Sequence, residues 1–126
     1  MAVNYSTAVK TARMQAVADA IDAGAAAGYM EIGTAGMALV LATITLDDPC
    51  GTVTGDTLTL SGLPSIDTSA DATGTAAAAR IRDSDDNDVV TGLTVGTSGT
   101  NIIIDNTSIT AGQAVSLNSG TIQHAA

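Results

Sequence analysis

Val40-Leu41-Ala42-Thr43-Ile44-Thr45-Leu46 changes character from one residue to the next: Val40, Ala42, Ile44 and Leu46 share one side of an extended chain, and Thr43 and Thr45 take the other. A two-residue period sends successive side chains to opposite faces of a sheet, whereas a helix would scatter the same apolar residues around its axis. The stretch reads as a half-buried strand. The rhythm returns downstream. Leu58 and Leu60 alternate with Thr57, Thr59 and Ser61, Ile102 and Ile104 share a face, and Val115 and Leu117 repeat the pattern. Thr and β-branched residues suit a pleated surface with one wet face.

Turn signals separate these runs: Asp48-Pro49-Cys50-Gly51, Gly62 with Pro64, Gly74, Asp85-Asp86-Asn87-Asp88, Gly96 to Gly99, and Gly112. The segments between them number about seven or eight strands, spaced as in an antiparallel β-sandwich or jelly roll. Ala76 to Arg82 is the ambiguous one. Four consecutive alanines favour helix, but Arg80-Ile81-Arg82 restores alternation and an acidic turn suited to a hairpin follows. It is assigned as a strand.

One helix precedes the strands, over residues 6–23. Met14, Val17 and Ile21 recur at three- and four-residue spacing, and Val9 and several alanines widen the stripe. Ser6 is the expected N-cap, and Gly24 the expected left-handed residue just past the end. Asp19 and Asp22 oppose the helix dipole near the C-terminal end. The whole of 1–126 reads as a single domain, helix at about 6–23 and β-sandwich at about 29–124.

Composition bounds the function. The hydrophobic fraction of 45% supplies a core, yet the aromatics are only Tyr5 and Tyr29. A core without Phe or Trp is thin, so oligomerisation or docking on a larger body is a natural source of extra stability. Thirteen acids against Lys10, Arg13, Arg80 and Arg82 give a net charge of −9. Four scattered cations cannot neutralise a run of phosphates, which argues against nucleic acid as a partner. Cys50 is the sole cysteine, the N-terminal residues lack a secretory pattern, and the longest apolar run is too short to span a bilayer. The expectation is a cytoplasmically made protein that binds no membrane.

Each cluster that could carry chemistry also has a plainer reading. Asp83, Asp85 and Asn87 stand at the first three ligand spacings of an EF-hand, but Asp88 replaces the turn glycine and Thr94 the closing Glu. A solvated hairpin tip is expected, with Ca²⁺ binding as the alternative. Asp47-Asp48 does not converge as an acid–base pair, and Pro49 beside it favours a turn. His124 lacks an orienting partner, Cys50 reads as a spectator thiol in a turn, and Gly33-Thr34-Ala35-Gly36 lacks the Lys of a phosphate loop. Asn4-Tyr5-Ser6 and Asn106-Thr107-Ser108 match glycosylation sequons, which matter only on a secreted chain. No catalytic residue, cofactor or metal ligand is assigned. Val3, Asn4, Tyr5, Tyr29, Met30 and Met37 are the candidates for an interface.

Four segments carry a resemblance: "AVADAIDAGAAAGYMEI" at 16–32, "LATITLDDP" at 41–49, "SADATGTAAAARIRDSD" at 69–85 and "TGLTVGTSGTNIIIDNTSITAGQAVSL" at 91–117, where a Thr-Gly/Thr-Ser-Gly hairpin leads to an apolar strand. Their order resembles a class of small structural proteins of tailed bacteriophages, encoded among head genes. The resemblance implies a β-sandwich or jelly-roll virion protein, first of all a capsid cement or decoration protein. Such a protein is made in the host bacterial cytoplasm, carried on the capsid surface, and assembled as a dimer or trimer with the major capsid protein as partner. The N-terminal arm, residues 2–7, and the tail from Gly120 are the expected docking elements, so deleting residues 2–5 should abolish particle binding. A low-copy neck or tail component and a β-sandwich adhesion module are the other readings, with an enzyme the least favoured.

Overall fold

The computed structural model describes residues 5–123. Helix α1 covers Thr7–Ile21. Ser6 caps it as expected, its Oγ accepting the Val9 N–H at 3.3 Å. At the other end Asp22 is the cap, with its N–H bonded to the Ala18 carbonyl and the Ala23 N–H to that of Ala20. The helix therefore closes before Gly24, which is not left-handed; a Cβ there would lie 1.6 Å from Ser84 Oγ, so close packing requires this glycine. Met14, Ala18 and Ile21 are buried and Val17 packs beside them. Val9, expected in the same stripe, is 42% exposed because the first two turns extend past the core.

Eleven strands follow: β1 (Tyr29–Gly33), β2 (Val40–Thr45), β3 (Gly51–Thr54), β4 (Thr57–Leu60), β5 (Ser65–Asp67), β6 (Gly74–Thr75), β7 (Ala78–Arg82), β8 (Asp88–Gly96), β9 (Ile102–Ile104), β10 (Ser108–Ile109) and β11 (Val115–Gln123). This exceeds the seven or eight expected. The surplus is in β5, β6 and β10, which at two or three residues are too short to display a period. The mainly β class with one N-terminal helix is as the sequence indicates, and the Ala-rich 78–82 is a strand.

Nine strands form one curled sheet with path β2-β1-β7-β8-β9-β11-β4-β3 and β5 alongside β11, while β6 and β10 pair separately. The sheet is mixed, not wholly antiparallel. Val95 and Gly96 at the end of β8 run parallel to Ile102 and Ile103 of β9, where a hairpin was expected. Asn101 explains the path: its Oδ1 accepts both the N–H and the hydroxyl of Thr94, and its N–H donates to Thr94 Oγ1. The loop is pinched at its base, and the chain leaves it still heading forward.

Two long strands bend the sheet. β8 pairs with β7 over most of its length and with β9 at its end. β11 serves β5 first, then β9, then β4. The curl brings β5 to the free side of β2, where the Thr43 N–H donates to Asp67 Oδ2 at 3.0 Å and Ser65 Oγ to the Thr45 carbonyl at 3.4 Å. Side chains thus seal the edge of β2, an edge that would otherwise invite another strand.

Met30, Ile32, Leu41, Ile44, Ile81, Ile102, Ile104 and Leu117 are fully enclosed in a single aliphatic cluster that continues into α1. Leu41 lies on the threonine side of β2 and is buried nonetheless, because the chain at 71–74 crosses over it: the Asp71 N–H bonds the Leu41 carbonyl, and Gly74 packs against its methyls.

Candidate functional site

β1, β7 and β8 present one outward face. Along β1, Met30 and Ile32 point inward, which leaves Tyr29 and Glu31 outside; along β7, Ala79 and Ile81 point inward and leave Ala78, Arg80 and Arg82 outside. Antiparallel register sets Tyr29 against Arg82 and Glu31 against Arg80. Opposite charges in register form a ladder. Arg80 Nε meets Glu31 Oε1 at 2.6 Å, and Arg82 Nε lies 2.7 Å from Asp88 Oδ1 and 3.5 Å from Glu31. The Tyr29 hydroxyl donates to Asp86 Oδ1 at 2.6 Å. That bond, followed by burial, raises the pKa of Tyr29, while Tyr29 and then Asp88 raise that of Arg82. The face is cross-linked by bonds among its own side chains.

Toward the other end of the face, β8 carries an irregularity opposite Arg80, where Ala79 pairs with Leu93 but Ile81 with Val90. Gly92 takes φ 75° there, a left-handed value that suits glycine at a bulge. The bulge and the 3₁₀ turn Ala35–Met37 border an open groove of about 420 Å³, lined by Gly36, Met37, Ala77, Ala78, Arg80, Thr91, Gly92, Leu93 and Thr94. Leu39 lies just past that turn and is 46% exposed.

Of the interface candidates, Tyr29 and Met37 share this face, one at each end. Met30 does not: it is fully buried beneath β1 because the alternation that exposes Tyr29 turns Met30 inward. Tyr5 is 40% exposed, with the Arg13 guanidinium 4.3 Å from its ring centroid. Val3, Asn4 and His124 lie outside the described residues. Gly120 to Gln123 belong to β11 and pair with β9 and β4, so this part of the expected docking tail is built into the sheet.

The acidic segment is a turn between β7 and β8, as read. Asp83 Oδ1 accepts the N–H groups of Asp85 and Asn87 at 3.0 and 2.9 Å, and Oδ2 accepts Asn87 Nδ2 at 3.2 Å. Those bonds, chiefly the one from the Asn87 backbone, hold the Asp83 carboxyl below its ordinary pKa. Two of the three Ca²⁺ candidates therefore bond each other, and among the described residues no group of three or more His, Cys, Asp or Glu side chains gathers as a metal site. Cys50, read as a spectator thiol in the turn before Gly51, is fully buried: its N–H donates to the Asp22 carboxylate, and burial, then Asp22, pushes its pKa up to about 12. Gly33 to Gly36 turn the chain between β1 and β2, and Asn106 Oδ1 accepts the Ser108 N–H within its own loop. Among the described residues no helix is long and apolar enough to cross a membrane.

The charge ladder escaped sequence reading. Arg80-Ile81-Arg82 signals two cations on one face, but their partners come from β1 and β8, and strand neighbours are invisible in a linear sequence. Comparison with protein-family models, curated proteins and solved structures gives no match.

Proposed function

We propose that this chain is a non-enzymatic structural protein of a tailed-phage virion, a capsid cement or decoration protein that binds the outer face of the assembled head and bridges its subunits. The resemblance in segment order motivates the reading. The observation that carries it here is the outer face of β1, β7 and β8, whose arginines pair with acids beside an open groove lined in part by Met37, with exposed Leu39 two residues further along the chain. A cross-linked, self-paired surface with an apolar recess loses little entropy on docking and is suited to recognition by shape. Many copies, each adding a modest interface, stabilise a shell by mass action.

Quantitative mass spectrometry of purified particles tests the assignment. Copies of the same order as the major capsid protein support decoration, a handful per particle supports a neck or tail component, and absence from the particle rejects the virion reading. Within the decoration reading, Leu39→Asp should weaken binding to purified heads at least tenfold, about 1.4 kcal/mol, while leaving the melting temperature unchanged. Undiminished binding would remove this face from the interface.

A further inference from the structure

Charge is unevenly divided along α1. Residues 1–18 contain Lys10 and Arg13 and no acid, whereas the remaining chain carries thirteen acids against two arginines. Both of those arginines are engaged on the β7 face, while Lys10 and Arg13 form no ion pair within 4 Å among the described residues. Asp56, whose carboxyl is lowered mainly by Gln123 and then Thr57, feels Lys10 only as a smaller influence. The basic half of the helix also offers apolar surface, with Val9 42% exposed, and its first two turns bury nothing in the core.

The C-terminal end of α1, about 18 Å along the axis from Lys10, is acidic. Asp19 and Asp22 close the helix, and Asp22 accepts the Cys50 N–H, which brings in the Asp47-Asp48 loop. The turn carrying Asp85 and Asp86 joins through the Ala26 N–H, which donates to Ser84 Oγ at 3.4 Å. Asp19, Asp47, Asp48, Asp85 and Asp86 are all exposed. Cations in the N-terminal half and acids at the C-terminal end oppose the helix dipole at both ends. This arrangement favours contact with another molecule over the stability of the helix itself.

We infer that the exposed N-terminal half of α1 docks on the acidic end of a second copy of this chain, in a head-to-tail contact. Charge complementarity selects that occupant. At a net charge of −9 two copies repel in most orientations, and attraction exists where Lys10 and Arg13 of one copy face Asp47, Asp48 and their neighbours on the next. A contact between two different surfaces propagates, and closes as a ring or extends as a filament according to the rotation between copies. The inference concerns the protein alone and does not depend on the virion reading.

Sedimentation velocity on the purified full chain tests it. The wild type should associate at about 20 mM salt and dissociate at about 500 mM, where screening is severe, with Kd rising at least tenfold. Lys10→Gln/Arg13→Gln and Asp47→Asn/Asp48→Asn should each be monomeric at low salt with unchanged circular dichroism. Mixing the two variants should restore one contact, because each retains the surface the other has lost, and growth should stop at a heterodimer. A wild type monomeric at all salt concentrations, association indifferent to salt, or a mixture that stays monomeric would each overturn the inference.

Discussion

The Cys50 side chain is fully enclosed, and its thiol ionises far above the ordinary value of 9.0. A native-state thiol reagent at pH 8 should leave it untouched, and denaturant should release complete labelling; labelling of the folded protein at the rate of a free thiol would contradict the burial. The same shift sets the sign of an alkaline limb. The folded thiol holds its proton to higher pH than the unfolded one, so its contribution is intact below pH 9 and is lost as pH rises from 9 toward about 12. Cys50→Ala should make that loss shallower in urea melts taken across the range. Asp83 acts in the opposite sense. Its lowered pKa gives stability that is present above the ordinary carboxyl value of 3.8 and lost as pH falls below it. Asp83→Ala should flatten the acid limb and speed amide exchange at Asp85 and Asn87, read by NMR. At this scale the sequence was only partly legible. The acidic run declared a turn, but nothing in it distinguished Asp83, which organises the turn, from Asp85, which is exposed.

Helix α1 divides into a half that holds the fold and a half that does not, and substitution should expose the boundary. Ile21→Ala removes a fully buried side chain at the junction with the sheet and should cost about 2–5 kcal/mol. Val9→Ala should fall within about 0.5 kcal/mol of wild type. Equal losses in chemical denaturation would refute the division. In β3 the sensitive position is Gly51, where a Cβ would stand 2.2 Å from the Thr59 carbonyl oxygen of β4. Gly51→Ala should destabilise by about 1–3 kcal/mol, measured the same way. Long alternating strands were readable because burial on one face imposes a period. The helix stripe was readable for the same reason as far as Met14, but periodicity extended it to Val9 without knowing where the core stops. The parallel end of β8 depends on Asn101 reaching back to Thr94, a local bond that hydrophobic patterning does not record.

For the molecule as a whole, the seam between β2 and β5 turns a curled sheet into a nearly continuous wall. Asp67→Ala should remove the acceptor of the Thr43 N–H, lower stability by about 1–3 kcal/mol and accelerate exchange at that amide ahead of the neighbouring β2 amides. Protection that survives the substitution would show that the seam rests on other contacts. The charged face of β1, β7 and β8 likewise exists only at this scale: Glu31, Arg80, Arg82 and Asp88 are dispersed over nearly half the chain and meet through strand order. β11 follows in sequence every strand it joins, and it alone supplies partners to β4, β5 and β9 on that side. On the ribosome, then, the nascent chain must wait with β5 lacking a strand partner and with β4 and β9 each paired along one edge only until residues 115–123 emerge, and a pause in translation just before them would leave a sticky, chaperone-dependent intermediate.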